Sequence, residues 1–592
     1  MKKKIILFFC SVLLFRISLF SQVYTKQQVF QADHWVYQAL KTIALADSHM
    51  VFYDTAPISA AEIKFYMSNI DYDSLDEGSR ILYDKLNGFL NFNAFSLDFS
   101  PVKVGINLQV NPTLHYKSSD QLEWDFAATY TGNTYKKYND DGTFTYEKAS
   151  FGNESSFNSN PLVKPFIIAP VYISVADCFV IETEPAVWKN YWSMSENDNF
   201  INLPLAGKDF DFLWPKVAYF NTGYIFNSGW GINLLVERSG FQVGDTLTGS
   251  IIYNSSFETD VFCNLSAYTK NFKYTLSMIQ VNNDRFLYLH KIDAILFKRL
   301  KCSFMEGTFI NHSFELRYLN PLMIMHSWGS WRQYRSPLEY EYYSEAHVSA
   351  YLGILFEVVP FDNFRIYGMF SQNEVQTFME LGTPYSYSLP DGIGFQLGLE
   401  YNLADKNSGW WNFAMEGVYT SPFLYVKQGK EWSLISYREN MQRNANTPLY
   451  SWMGSPFGPD CIAFEAKVGY KQFESWGVDF KYLFVAHGEN SFAMFNSTFT
   501  NKDGTFWAYY PSVLRLLGLL SDDEAIDMAR TMKLTGVVQY TNKFMLSGFY
   551  KINEHIKIDA DVSYSLIFNS QNQLDNFING IQLYCGFEYK LF

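Results

Sequence analysis

Cysteine, positive charge and long apolar runs are all in short supply in this 592-residue chain. One of its six cysteines, Cys10, lies in the first apolar stretch. The other five, Cys178, Cys263, Cys302, Cys461 and Cys585, are odd in number, far apart and never spaced as CxxC, which argues against a disulfide framework and a thiolate zinc site. Lysine and arginine total 46 against 60 acidic residues, a net charge of -14. A chain that binds nucleic acid needs a basic stripe to displace phosphate counterions, so the balance argues against that class of partner.

Catalytic patterns are equally sparse. No two of the nine histidines form HxxxH, and there is no GxSxG, GxGxxG or Walker loop. "NDDGTFTYE" from Asn139 lacks the spacing of a calcium loop and reads as a hairpin turning at Asp141-Gly142. The acidic pair Asp522-Asp523 falls within Ser521-x-x-Glu524, a capping box that starts a helix through Met528. No catalytic residue, metal site or cofactor is assigned, and the chain is expected not to be an enzyme.

What the chain has in quantity is aromatic residues. Phe 54, Tyr 42 and Trp 14 make 19% of it, yet its mean hydropathy is only -0.12. Residues 1–21 read as a secretory signal: Lys2, Lys3 and Lys4, then an apolar run from Ile5 to Phe15, then a short exit to Ser21. Beyond it no run reaches 18 apolar residues, so an exported chain of this kind is either soluble or a β-barrel.

Residues 22–91 have helical period. "ADHWVYQALKTIALA" sets Trp35, Ala39 and Ile43 beside Val36, Leu40 and Ala44 on one face. Ser59-x-x-Glu62 and Ser74-x-x-Glu77 are two capping boxes, the second followed by Ile81, Leu82, Leu86 and Leu90. Three short amphipathic helices are expected, which taken alone read as an ordinary helical domain.

Residues 92–592 change to period 2. "PVKVGINLQV" sets Val102, Val104, Ile106, Leu108 and Val110 against Lys103, Gly105, Asn107 and Gln109. "CIAFEAKVGYK" and "EHIKIDADVSYSLIF" repeat the device, the latter with Ile558, Ala560, Val562 and Tyr564 opposite Asp559, Asp561 and Ser563. These runs reach the roughly 9–11 residues a tilted strand needs to cross a bilayer, and aromatics crowd their ends as a membrane girdle would. The fold class expected is mainly β: a large transmembrane antiparallel barrel of about 14–20 strands, best guess 18, since single-chain barrels close on even numbers. Tight turns should lie at the periplasmic end, as near Asn553 and Glu554, and longer loops such as 569–580 outside. "GIQLYCGFEYKLF" ends on Phe592, one residue out of phase with its own apolar face.

One stretch breaks the rhythm. "FELRYLNPLMIMHSWGSWRQYRSPLEYEYY" starts as a strand at Phe314, with Glu315 and Arg317 alternating with Phe314, Leu316 and Tyr318, and must end or bulge at Pro321, which has no N–H to donate. "LMIMHSWGSW" is expected to fold against the lumen or on a rim. Trp328, Trp331, Arg332, Arg335, Tyr340, Tyr342 and Tyr343 combine flat rings for sugar faces with charged forks for hydroxyls and carboxylates, the composition of a glycan surface. The same residues also fit an interfacial girdle with a lumenal ion-pair ladder.

"FELRYLNPLMIMHSW" (314–328), "FDNFRIYGMFSQNEVQ" (361–376) and "PFGPDCIAFEAKVGY" (456–470), in this order behind a short helical module, make the mature chain resemble the Wzi-like family of capsule-assembly outer-membrane proteins. The resemblance implies that the helices form a plug at the periplasmic mouth, and that surface loops hold exported polysaccharide without chemistry. It also implies the outer membrane of a diderm bacterium as location. Outer-membrane lipid, surface polysaccharide and, during biogenesis, the barrel-assembly machinery are the expected partners of a monomer. The alternative is an outer-membrane porin or substrate channel, which needs an open lumen, and a third reading is an outer-membrane hydrolase.

Overall fold

The computed structural model describes residues 26–591 apart from 92–96, 100, 120–121, 123–128, 131–133, 139–143, 149–163, 190–198, 206, 208–209, 214–216, 255–259, 283, 312, 323–347, 375–386, 431, 441–446, 474 and 496–508. The chain begins with three helices, α1 (Trp35–Ala46), α2 (Ala60–Met67) and α3 (Glu77–Asn91). His34 caps α1 by accepting from the Val36 N–H, and Ser59 caps α2 by accepting from the Glu62 N–H. Ser74 does not cap α3 as its spacing suggested. Asp76 does, accepting from Ser79 N at 2.9 Å, while the Ser74 hydroxyl donates to Asp47. The aspartate stands directly before the first turn, where a carboxylate reaches the free N–H groups without extra backbone.

Helix α1 is buried on more than its apolar stripe: Lys41 and Thr42 are enclosed along with Val36, Leu40 and Ile43. A helix enclosed on all sides belongs inside something. Helix α3 keeps Leu82, Leu86 and Leu90 buried and turns Asp84, Lys85 and Asn87 to solvent.

What encloses α1 is a single antiparallel sheet. Its strands, with bulged segments counted as one, are β1 (Val102–Ile106, Gln109–Val110, Thr113–Lys117), β2 (Ile167–Ile168, Val171–Val175), β3 (Phe179–Thr183, Ala186–Lys189), β4 (Phe210–Leu213, Ala218–Phe226), β5 (Trp230–Ser239), β6 (Asp260–Thr269), β7 (Phe272–Asn282), β8 (Arg285–Leu296) and β9 (Leu300–Ile310). There follow β10 (Val348–Val358), β11 (Phe364–Glu374), β12 (Gly392–Ala404), β13 (Gly409–Thr420), β14 (Cys461–Gln472), β15 (Trp476–His487), β16 (Gln539–Lys551), β17 (Ile556–Phe568) and β18 (Ile578–Lys590). Each pairs with the next, and β18 returns to β1, Cys585 opposite Leu114 and Tyr589 opposite Val110. The pairings therefore run in a circuit of eighteen strands among the described residues.

Alternation along these strands is clean. Ile292, Phe304, Ile354, Leu397, Phe480 and Leu546 all point outward and are 43%, 45%, 43%, 55%, 49% and 50% exposed. An apolar belt around a whole circumference is unstable in water and suits hydrocarbon, and β5 to β18 run 10–13 residues, enough to span it. At the lower edge of the belt, rings gather as an interfacial girdle: Trp411 and Tyr470 with centroids 4.9 Å apart, Tyr470 and Trp476 at 5.0 Å, Phe226 stacked on Trp230 at 3.9 Å. No described helix is long and apolar enough to cross a membrane.

Connections sort by end. Residues 270–271, 297–299, 405–408 and 552–555 make tight turns at one mouth, whereas 421–460 and 488–538 rise at the other. The helical module sits at the tight-turn mouth, where Met50 N donates to Lys298 O at 2.7 Å and Asn363 N to Leu45 O at 2.8 Å. Its apolar core continues into the barrel wall through Tyr268, Ile295, Val359, Ala404 and Trp410.

The stretch from Phe314 departs from its alternation. Leu316–Leu319 is a 3-10 turn, and Tyr318, fully buried, packs its ring on Tyr288 at 5.1 Å on the outer wall. His290 Nε2 lies 3.1 Å from Tyr318 O, and the Tyr274 hydroxyl donates to Pro321 O at 3.4 Å. His290 and Glu306 are buried polar residues on paired outward-facing positions of β8 and β9, and the turn covers His290. Covering it from hydrocarbon is a stronger demand than one more strand, because unshielded polar groups in lipid are costly. The described part of this segment thus lies on the outer wall and off the strand ladder, while "LMIMHSWGSW", expected against the lumen or on a rim, lies outside the described residues from Met323 onward.

Candidate functional site

Inward-facing positions of a barrel strand are normally wet and polar. Here those of β8 to β12 meet the plug. Asp54, on the extended chain between α1 and α2, accepts from Lys291 Nζ at 2.9 Å and Lys301 Nζ at 2.9 Å. Lys301 also pairs with Glu357, and Lys291 with Asp293. Arg365 Nε donates to Glu357 at 2.7 Å, and its Nη1 to Glu400 at 2.9 Å and Asp245 at 3.0 Å. Lys41 of α1 closes the set on Asp245 at 2.7 Å and Glu400 at 2.8 Å. Tyr53 stands at the centre: Lys301, Arg365 and Lys41 lie 5.2, 5.6 and 5.9 Å from its ring centroid, and its hydroxyl donates to Glu357 at 3.0 Å. A second link joins Lys273 to Glu62 at 2.5 Å.

Such charges are tolerable only when paired, because desolvation otherwise outweighs attraction. Burial pushes the Asp54 carboxyl up, but Lys291 and Lys301 outweigh it and hold the group well below the usual carboxylate range. Burial pulls the Lys41 ammonium down, but Asp245 and Glu400 outweigh it and hold it above the usual lysine value. Both groups stay charged across the physiological range.

The second component is the connection after β5. Instead of rising outward, residues 240–254 run down into the lumen. Gln242–Val243 pairs antiparallel with Thr55–Ala56 of the plug, and Gly244 N donates to Asp54 O at 2.6 Å. Gly244 has φ +101, a conformation that favours glycine, and a Cβ there would lie 2.0 Å from Met369 Cε. Higher up, Glu416 of β13 accepts from Leu247 N at 2.8 Å, Thr248 N at 3.0 Å, Gln396 Nε2 at 2.8 Å and the Tyr367 hydroxyl at 2.5 Å. Ile251 O accepts from the hydroxyls of Tyr351 at 2.8 Å and Tyr425 at 2.5 Å.

Tyr425 belongs to the third component, an apolar cap at the wide mouth. Trp452 stacks on Phe492 at 4.2 Å, and Phe423 meets Tyr510 edge-on at 5.7 Å beside helix α4 (Pro511–Leu516), which leads into α5 (Asp522–Ala529). Helix α5 carries the full Ser521/Glu524 capping box that the sequence predicts. The plug packs in one apolar cluster and the inward connection and cap in another, and the ladder of Gln242–Val243 on Thr55–Ala56 joins them into a column from mouth to mouth.

The column is off-centre. Between it and strands β14–β18 and β1 lies a cavity of about 600 Å³. Its walls include Thr246 and Thr248 from the inward connection and Glu465, Lys481, Lys543 and Asp561 from the barrel. A smaller space of about 340 Å³ opens at the tight-turn mouth, between His34 of the plug and Lys471, Lys557 and Lys590.

The seven residues predicted to touch glycan, Trp328, Trp331, Arg332, Arg335, Tyr340, Tyr342 and Tyr343, lie outside the described residues, as does the turn at Asp141-Gly142. The residues that organise the lumen were not singled out from sequence. Arg365 sits in "FDNFRIYG" on the inward set of β11, and a lone arginine there was the available signal. Its partners, Asp245, Glu357 and Glu400, are spread over three other segments, so no local spacing marks them.

No protein-family model and no curated relative matches the chain. Among solved structures it is similar to Wzi, an outer membrane protein involved in group 1 capsule assembly in Escherichia coli and a carbohydrate-binding β-barrel: 10% identity, 95% of this chain and 98% of that one, TM-score 0.49. It is also similar to OprD of Pseudomonas aeruginosa, at 8% identity over 83% of this chain and 96% of that one, TM-score 0.36. A third is an anion-selective porin from Comamonas acidovorans, at 8% identity, 83% and 100% coverage, TM-score 0.31. All three are outer-membrane proteins, and at these scores none carries an argument about what this chain does.

Proposed function

We propose that this chain is a non-enzymatic barrel of the outer membrane of a diderm bacterium, which works at its outer surface by holding or organising surface polysaccharide. One observation carries the reading: a packed column of plug, inward connection and cap occupies the lumen from mouth to mouth, tied to the wall by buried ion pairs. A general diffusion pore has no use for a column of this kind. With through-traffic obstructed, the surface that remains for function is the wide mouth, and the sequence offers Trp328, Trp331, Arg332, Arg335, Tyr340, Tyr342 and Tyr343, which lie outside the described residues, as ring faces and charged forks for a polymer. The protein acts as a monomer inserted by the barrel-assembly machinery, and it needs no cofactor.

The second reading, a porin or substrate channel, is favoured by the cavity left along β14–β18. Planar-bilayer conductance of the intact protein separates the two. Silent insertion that begins to conduct once residues 26–91 are removed is the expected result. Steady openings of the intact protein, graded by solute size, would replace the surface reading with the channel one.

A further inference from the structure

The lumenal cavity differs from the outer surface in a way that gives it a ligand of its own. Its volume, about 600 Å³, lies within the range of small-molecule sites, roughly 300–1,000 Å³. Its walls come from two parts of the molecule: the barrel interior of β14–β18 and β1, and the inward connection. We propose that this cavity is a binding site for one acidic sugar unit, a ring bearing a carboxylate and several hydroxyls.

The chemistry of the walls sets that class. Lys543, 4% exposed, lies on the wall with its ammonium 3.4 Å from Gln582 Oε1, a deep cation suited to a carboxylate. Lys481, on the neighbouring strand β15, is held 3.3 Å from Glu465, so the floor of the site is already a polar pair rather than a single strong charge. Asp561 and Glu465 are acceptors for hydroxyl donors, and Ser563 and Thr246 both donate and accept. The Thr246 Oγ1 atom is buried with no protein hydrogen-bond partner among the described residues, and it lines the same space. Tyr584 and His115, their rings 5.0 Å apart and Lys164 Nζ 5.6 Å from the Tyr584 centroid, give the wall an aromatic surface for the C–H side of a pyranose. A simple inorganic anion would use the lysines and leave the hydroxyl acceptors and the ring idle. The proposal is argued apart from the outer-surface reading, because the described walls come from the barrel interior and the inward connection.

The test is titration calorimetry of the full-length, detergent-folded protein with sodium glucuronate, glucose and inorganic phosphate. The expected result is saturable one-to-one binding of glucuronate, at least tenfold tighter than glucose or phosphate. Lys543→Gln is expected to weaken glucuronate at least tenfold and leave glucose unchanged. Should that variant not fold, Thr246→Leu, which fills the cavity from the inward connection, is expected to abolish binding. The joint outer-loop variant Trp331→Ala, Arg332→Ala is expected to leave it intact. Absence of saturable glucuronate binding overturns the proposal. So does equal affinity for glucose or phosphate, full affinity in Lys543→Gln or Thr246→Leu, or loss of binding in the outer-loop variant.

Discussion

Strands β8–β12 and strands β14–β17 both alternate, and both turn charged side chains toward the lumen, yet those charges end in different surroundings. On the first arc the side chains of Lys291, Lys301 and Arg365 are 3%, 0% and 2% exposed, each on one or more carboxylates. On the second, Lys471 and Lys481 are 33% and 30% exposed, and their partner carboxylates sit at 3.7 and 3.3 Å. The strand pattern is the same in both. What differs is the column, which packs against one arc and stands off from the other. A buried ion-pair network shared between column and wall therefore marks where the plug is docked, whereas Lys543 on the second arc is buried beside Gln582 of the wall itself.

Removing one member of each network tests this most directly. Arg365→Leu leaves Glu357 and Glu400 buried with part of their compensation gone, and a loss of about 3–5 kcal/mol is expected. Lys471→Ala on the opposite arc should cost about 0–1 kcal/mol, because its pair is long and half-solvated. Denaturant unfolding of the detergent-folded protein reads both. Comparable losses would erase the distinction between the arcs.

Glu416→Leu comes next. It removes the acceptor for the Leu247 and Thr248 N–H groups, so roughly 1.5–3 kcal/mol of the inward connection's attachment should go, seen as new protease cleavage within 240–254. Cleavage unchanged from the parent protein would mean that the connection is held elsewhere.

The smallest effect is in pH. Asp54 has a depressed carboxyl, so its contribution is complete above the ordinary carboxylate range and is lost as pH falls below about 4. Lys41 is raised, so its contribution is complete below the ordinary lysine value and is lost only as pH climbs past about 10. His34 runs the other way within the acidic range: burial, with Lys590 nearby, holds the half-buried imidazole down at about 3. The unfolded ring takes its proton first, so the His34 contribution declines as pH falls from about 6.5 toward 3. Plug release followed by tryptophan fluorescence should therefore be flat from about pH 7 to 9, begin to slope gently below 6.5 and fall steeply below 4. A His34→Gln variant should keep the steep fall and lose the gentle slope.

The strand account was legible because alternation is a local property. "EHIKIDADVSYSLIF" became β17 with Ile558, Ala560, Val562 and Tyr564 outward, and "CIAFEAKVGYK" became β14 with Ile462, Phe464 and Val468 outward. The tight turn near Asn553 and the longer loop after Phe568 also lie where the reading of the last strands put them. Two local readings failed because a competing demand won. Asp76 displaced Ser74 as the α3 cap by being nearer the first turn. "FELRYL" gave up its strand because Tyr318 packs on Tyr288 and covers His290 on the outer wall. The candidate glycan residues fall outside the described part of the chain, so the legible share of the site concerns the lumen, and there little could be read in advance.

By itself the sequence determined the period of the long strands, the apolar belt and the helical period of the residues that precede them. Each follows from residues within a dozen positions of one another. Only the tertiary structure decided which inward charges are sealed, that residues 240–254 turn down rather than up, and that a cavity survives along one arc. Those outcomes depend on partners as distant as Lys41 and Glu400, or Asp54 and Lys301. A charged side chain carries no local record of whether water or an opposite charge will meet it after the chain has closed.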